Sequence, residues 1–402
     1  MGLNDTPAAE RVHIGFFGMR NAGKSSLVNA VTGQNLSVVS DVKGTTTDPV
    51  KKAMELKPLG PAVIIDTPGL DDAGELGEKR VEKAHETLMR TDIAVLVADA
   101  ARGLTPEDRN LIAQLRSREV PYVVAYNKAD LLEERTARSD NELYVSALTG
   151  ENVNALKEML GAYAKELENP RRIISDLISP GDMAVLVTPI DGSAPKGRLI
   201  LPQQQTMRDL LDAHASFVCC QPEELAYTLA SLRVRPRMVV TDSQAFGAVA
   251  QDVPEDIPLT SFSILFARYK GNLKRLVRGA AKLSALKTGD RVLIAEGCTH
   301  HRQCNDIGTV KLPGWIEQYC GAKPAFSFTS GGEFPQDLSP YALIVHCGGC
   351  MLGEREMQNR LARAALAGVP TVNYGVAIAQ MNGILERSLR LFPEALELLH
   401  ES

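Results

Sequence analysis

The sequence predicts an α/β chain of three successive domains, at 1–168, 173–263 and 265–402, each built on a parallel sheet. Three observations carry this. Apolar runs of strand length, such as Val12 to Phe17, Met183 to Val187 and Val292 to Ala295, read as buried strands. Helically spaced stretches alternate with them, the βα pattern of parallel sheets. Breaks rich in proline and charge, Glu168-Asn-Pro170-Arg-Arg172 and the stretch from Val253-Pro254 to Pro258, separate the three.

The chain of 402 residues has room for two or three cores, and its formal net charge of -5 argues against a dedicated nucleic-acid binder. No uninterrupted apolar run reaches membrane-spanning length. The opening Met1-Gly-Leu-Asn-Asp-Thr lacks the basic and apolar regions of a secretory leader, so a cytoplasmic protein with no membrane association is expected. Seven cysteines, all from Cys219 onward, do not resemble a secreted disulfide framework and read as metal ligands or buried thiols.

In the first domain, strand 12–17 runs into Gly18-Met-Arg-Asn21-Ala22-Gly23-Lys24-Ser25 and a helix from about Ser26. This is a P-loop in its strand-loop-helix context. Its backbone N–H groups would wrap phosphates at a helix N-terminus, Lys24 would reach the β- and γ-phosphates, and Ser25 would bind Mg2+. A strand over 63–65 leads into Asp66-Thr-Pro-Gly69, giving a carboxylate for Mg2+ and a glycine N–H to sense the γ-phosphate. A strand over 122–126 precedes Asn127-Lys128-Ala-Asp130. The Asp130 carboxylate can accept two hydrogen bonds from guanine, which adenine cannot offer, so the nucleotide is GTP. Ser146 and Ala147, after a strand over 143–145, would add a backbone contact to the base. Gly44-Thr45-Thr46-Thr47-Asp48 is a polar loop suited to a switch, with Thr46 the favoured Mg2+ ligand and Thr45 and Thr47 as alternatives.

On these motifs, residues of about 10 to 168 resemble a GTPase of the Era/MnmE group. Leu70 follows Gly69, so the water-positioning glutamine of Ras-like enzymes is missing. Asn21 stands where potassium-activated members carry the asparagine that ligates K+, and the resemblance implies that K+ supplies the charge of an arginine finger.

The second domain reads as strands at 183–187, 217–220 and 237–240, with helices at 206–214, 222–232 and near 244–249. It carries no catalytic constellation, and Cys219-Cys220 read as buried structural thiols. Holding two subunits together is its expected task.

The third domain is expected to open with one helix over 270–286. Strands follow at 291–295, 325–328, 341–345 and 371–373, with helices at 314–319, 354–367 and 376–385, a doubly wound parallel sheet in outline. Two strands end in soft ligands: Glu296-Gly-Cys298-Thr-His300-His301 after one, His346-Cys347-Gly-Gly-Cys350 after the other. Ligands bind outside the carboxyl ends of strands in such sheets, so Cys298, Cys347 and Cys350 would meet at one site. Three thiolates without a fixed fourth ligand point to a [4Fe-4S] cluster with one exchangeable iron. A Cys3His zinc site uses the same residue types, and a redox pair also remains open. The fourth position is contested by His300, His346, Glu296 and water.

Joined to such a GTPase, Cys298-Thr-His300 and His346-Cys-Gly-Gly-Cys350 resemble the HydF family of iron-iron hydrogenase maturation GTPases across essentially the whole chain. The resemblance implies a homo-oligomeric scaffold that carries a [4Fe-4S] cluster. It would take a transient diiron precursor from the radical-SAM maturases HydE and HydG and pass it to the apo-hydrogenase HydA. A zinc-stabilised regulatory GTPase and a tRNA-modification or ribosome-associated GTPase are the alternatives.

Overall fold

The computed structural model describes residues 10–34, 50–69, 84, 86–136, 139–167, 171–190, 199–297 and 306–401. The chain divides into two compact units, Met1–Asn169 and Pro170–Ser402.

The first unit holds six strands, β1 Val12–Phe17, β2 Val50–Leu56, β3 Gly60–Asp66, β4 Ile93–Asp99, β5 Tyr122–Asn127 and β6 Glu142–Tyr144. They lie in the order β2-β3-β1-β4-β5-β6. Only β2 is antiparallel, pairing with β3. The central strands are buried on both faces, and the two-residue period divides each between two cores. Ile93, Val95 and Val97 join the layer under helices Lys24–Thr32 and Val153–Glu166. Ala94, Leu96 and Ala98 face the opposite layer with Leu111 and Leu115 of helix Pro106–Ser117. That helix opens on a capping box, in which Asp108 N–H donates to Thr105 Oγ1 at 3.2 Å and Thr105 N–H to Asp108 Oδ2 at 3.0 Å. Such a cap contributes about 1 kcal/mol. β2, β4 and this helix are absent from the motif-led reading of the sequence.

The second unit carries two four-stranded, all-parallel sheets. β7 Met183–Val187, β8 Ser216–Cys220, β9 Met238–Thr241 and β10 Leu259–Ser261 lie in the order β10-β9-β7-β8. β11 Arg291–Ala295, β12 Ala325–Thr329, β13 Leu343–His346 and β14 Thr371–Asn373 lie in the order β12-β11-β13-β14. Both sheets therefore have one topology: the first strand is internal, the second flanks it on one side, and the third and fourth lie on the other. One apolar core runs through both, including Leu186 and Val240 of the first and Ile294 and Val345 of the second.

Two sequence expectations change here. The helix expected over 270–286 is Leu273–Ser284, and a further helix that the sequence reading did not include, Phe262–Tyr269, precedes it. Each has its own cap: Ser261 Oγ accepts from Ile264 N–H at 3.2 Å, and Asn272 Oδ1 from Arg275 N–H at 3.1 Å. The strand at 341–345 is shifted to Leu343–His346, which makes His346 the last strand residue rather than the first of the loop.

Candidate functional site

In the first unit the sheet pairing gathers the phosphate-side groups. β1 and β3 are neighbours with Phe16 opposite Asp66, so the P-loop leaving β1 lies beside the carboxylate ending β3. The Ser25 hydroxyl donates to Asp66 Oδ2 at 2.7 Å, and Asp66 Oδ1 is buried with no hydrogen-bond partner. A hydroxyl and a carboxylate with one unused buried oxygen suit a hard cation such as Mg2+. Lys24 is 8% exposed, its ammonium donating to the carbonyls of Gly18 at 3.0 Å and Met19 at 3.1 Å. Gly23 has φ +86° and a Cβ there would fall 2.3 Å from Asn127 Nδ2, so only glycine fits. Asn21, with φ 62°, is exposed in the same loop, while Ala22 is buried and Ser26 and Gly69 are half-buried.

The base-side groups are tied to that loop by Asn127. Its Nδ2 donates to the Ala22 carbonyl at 3.0 Å, and its Oδ1 accepts from Ala147 N–H at 3.0 Å. Asp130 is exposed and accepts from the Ser146 hydroxyl at 2.5 Å. Lys128 takes a left-handed backbone, φ 65°, and its ammonium donates to Asp99 Oδ2 at 2.8 Å. Burial works to raise the Asp99 pKa, but the Lys128 bond and charge and the Ala101 N–H outweigh it and hold Asp99 below the usual carboxylate range. Asp99 is a site residue that sequence reasoning missed; the signal was an acid at the end of an apolar run. Thr46 and its neighbours Thr45 and Thr47 lie outside the described residues.

In the second unit, β11 and β13 are adjacent although β12 lies between them in sequence. Their carboxyl ends mark the switch point where the chain reverses its direction across the sheet, the place where open α/β sheets bind ligands. Ala295 stands opposite His346, so Glu296-Gly297 and Cys347 leave the sheet side by side. Cys347 N–H donates to the Ala295 carbonyl at 2.9 Å. The Cys347 sulfur accepts from Gly297 N–H at 3.0 Å and from Gly349 N–H at 3.4 Å. Gly349, at φ +65°, lets the turn curl back; a Cβ would fall 2.2 Å from Met357 Cε. Burial pushes the Cys347 thiol up to about 11, with the Cys350 charge adding to the rise. Burial also raises Cys350, while the Lys270 ammonium opposes it. A desolvated sulfur that receives two backbone N–H groups suits a metal-bound thiolate, whose charge the metal shares.

His346 is 1% exposed. Its Nε2 lies 3.2 Å from Arg360 Nη1, and its Nδ1 lies 2.9 Å from the Cys347 carbonyl. Guanidinium can only donate, so Nε2 accepts and Nδ1 carries the proton. Burial and the Arg360 charge hold the ring down at about 3. Both nitrogens are thus engaged in hydrogen bonds in this arrangement. Glu296 is 4% exposed, and the Tyr374 hydroxyl donates to its Oε1 at 3.2 Å. Burial, with the Cys347 and Glu296 charges, raises Tyr374 well above the usual phenol value. Cys298, His300, His301 and Cys304 lie outside the described residues, though Cys298 directly follows Gly297 in sequence. Among the described residues no three His, Cys, Asp or Glu side chains form a metal-binding group. No helix among them is long and apolar enough to cross a membrane.

Fold and motifs define the first unit as a P-loop GTPase domain, and the family model for 50S ribosome-binding GTPase matches residues 13–128. The hydrogen maturase F dimerization domain matches residues 173–271, and the hydrogen maturase F tetramerization domain residues 274–391. The chain belongs to the hydrogen maturase F (HydF) family. Both models of the second unit are oligomerisation domains, which supports a homo-oligomer. The tRNA modification GTPase MnmE of Nitrosomonas europaea is 33% identical over 158 residues, 38% of this chain and 34% of that protein. GTPase Der of Kosmotoga olearia is 31% identical over 191 residues, 42% of this chain and 43% of that protein. The chain thus spans less than half the length of these curated relatives. Among solved structures, Aquifex aeolicus Era bound to GDP and AlF4- aligns with 20% identity and a TM-score of 0.35, covering 52% of this chain and 91% of that one.

Proposed function

We propose that this HydF-type GTPase is a scaffold that holds a [4Fe-4S] cluster on Cys298, Cys347 and Cys350. It receives the diiron precursor of the hydrogenase active site from HydE and HydG and passes it to apo-HydA. The observation that carries the reading is the Cys347 sulfur at the switch point of the second sheet, buried and accepting from the N–H groups of Gly297 and Gly349. When bound, the cluster supplies an exchangeable iron at which a precursor can dock. The protein's part is to hold the thiols in a desolvated crevice, to direct backbone dipoles at them, and to keep His346 turned to Arg360. The fourth position then falls to His300, Glu296 or solvent.

In the first unit, Lys24, Ser25 and Asp66 serve the Mg2+-bound triphosphate, with Thr46 as the switch ligand and Gly69 sensing the γ-phosphate. Gly18, Asn21, Ala22, Gly23 and Ser26 line the phosphates; Asn127, Lys128, Asp130, Ser146 and Ala147 serve the base. Asn21 is the proposed K+ ligand. Nucleotide state shifts the affinity for maturases and hydrogenase, by no more than the difference in their binding to the two states.

Anaerobic reconstitution with iron and sulfide tests the cluster. A brown protein with a reducible four-iron EPR signal, lost in Cys298→Ala, Cys347→Ala and Cys350→Ala, is expected. A colourless protein that retains stoichiometric zinc would overturn the scaffold reading.

A further inference from the structure

Asp99 closes β4 and belongs to none of the nucleotide-binding motifs of the sequence. In the sheet it stands opposite Asn127 of β5, so it meets the loop that carries Lys128 and Asp130. Both of its carboxylate oxygens are engaged: Oδ1 accepts from Ala101 N–H at 3.0 Å and Oδ2 from the Lys128 ammonium at 2.8 Å. Its carbonyl accepts from the N–H groups of Arg102 at 3.1 Å and Gly103 at 2.9 Å. The carboxylate is therefore set by its own turn before Lys128 reaches it, and the ion pair costs Asp99 little side-chain freedom. Burial would raise its pKa, but the Lys128 bond and charge and the Ala101 N–H hold it below the usual carboxylate range, so the pair is charged at neutral pH.

Lys128 is clamped at its other end as well. Its backbone takes φ 65°, a left-handed conformation that persists in a residue with a Cβ only where its neighbours impose it. Here the Ala100 N–H donates to the Asn127 carbonyl at 2.8 Å on one side, and the Ala129 N–H to the Val145 carbonyl at 3.0 Å on the other. With main chain and ammonium both held, the methylene stem between them is a stiff apolar bar, unlike the freely turning side chain of an ordinary surface lysine. In sequence it lies between Asn127, whose Oδ1 accepts from Ala147 N–H at 3.0 Å, and Asp130. Its charge is spent on Asp99, so what it offers a ligand is the stem.

We propose that Asp99 is a positioning residue of guanine binding: by anchoring the Lys128 ammonium it holds the lysine stem as an apolar platform for the flat face of the base. This rests on the nucleotide reading above and adds to it a residue that touches no nucleotide. A base face gains from a fixed apolar surface. A stem free to rotate would have to be ordered at the moment of binding, an entropy cost that the Asp99 anchor has already met. The platform is blind to the substituents of the ring, which Asp130 reads, so the effect falls on affinity and not on the choice of base.

The test is equilibrium binding and release of fluorescent GDP by the full chain, for wild type, Asp99→Asn, Lys128→Met and the double variant. Asp99→Asn keeps the size and an acceptor for Ala101 N–H while removing the charge. It should bind GDP about fivefold more weakly, the scale of a partly exposed ion pair, mostly through faster release. Lys128→Met should lose about as much, and the double variant no more than either single change, because both break the same anchor. Asp99→Glu should recover part of the loss. Competition with inosine diphosphate, which lacks the exocyclic amine, should show the same preference for GDP in Asp99→Asn as in wild type. Should Asp99→Asn fail to fold, Lys128→Arg, which keeps the bridge, compared with Lys128→Met reads the same anchor. Unchanged affinity in folded Asp99→Asn, losses that add in the double variant, or an altered preference between the two bases would overturn the role of Asp99 alone. A wild type that binds ADP as tightly as GDP would instead remove the guanine reading, and this one with it.

Discussion

The Ser25 hydroxyl and the Asp66 carboxylate meet at 2.7 Å, and the second Asp66 oxygen is buried without a partner. Residues 41 positions apart in sequence are joined because β1 and β3 pair in parallel, and what they leave over is one oxygen facing a cation-sized role. Asp66→Asn keeps the size and removes the charge. Steady-state phosphate release should fall about 100-fold, about 2.7 kcal/mol of transition-state stabilisation, with GDP binding much less affected. Unchanged turnover across a Mg2+ titration would remove Asp66 from the metal.

Asn127 spans the two halves of the nucleotide site, from Ala22 to Ala147. Asn127→Ala leaves a buried carbonyl and an N–H without partners, each costing about 1–3 kcal/mol. Because the same bonds hold the P-loop against the base loop, affinity should fall with stability. Fluorescent GDP should bind at least about tenfold more weakly, and thermal unfolding should begin earlier. A variant with lower stability and unaltered affinity would confine Asn127 to the fold.

What the sequence disclosed follows the chemistry that fixes each residue. Gly23, Lys24, Asp66 and Asp130 stand out in sequence because a phosphate, a metal and a base, as proposed, would dictate both type and spacing. β4, apolar up to its final Asp99, carries no such motif, and β2 shows solvent its Lys51 and Lys52, so neither strand stands out in the sequence. Asp99, Lys270 and Arg360 were illegible for another reason: each is an ordinary charge in sequence, and only tertiary pairing gives it a partner. Lys270 finds its own 80 residues away. Likewise the contact of His346 with Arg360, 14 residues on, cannot be read from the sequence around Cys347.

The exposed, left-handed Asn21 gives the potassium proposal its own test. Wild-type GTP hydrolysis should run about tenfold faster in KCl than in NaCl at equal ionic strength, and Asn21→Ala should erase that ratio while retaining nucleotide affinity. Equal rates in both salts for the wild type would reject K+ activation.

Arg360 joins three acceptors in a buried position: His346 Nε2 at 3.2 Å, the Gly331 carbonyl at 2.7 Å and Glu356 Oε1 at 2.7 Å. Removing it by Arg360→Met takes a partner from the half-buried Glu356 carboxylate and from the buried His346 ring, a loss of about 1–3 kcal/mol. The damage should fall on the second unit, so urea unfolding followed there should shift while GTP hydrolysis by the first unit persists. His346→Gln makes the complementary test. Glutamine can still accept from Arg360, and since both imidazole nitrogens are already engaged, iron content and the EPR signal should survive the change. Cys347→Ala should lose both. If His346→Gln instead lost the cluster while folding normally, the ring would have to leave Arg360 and ligate iron, and the fourth position would belong to His346 after all.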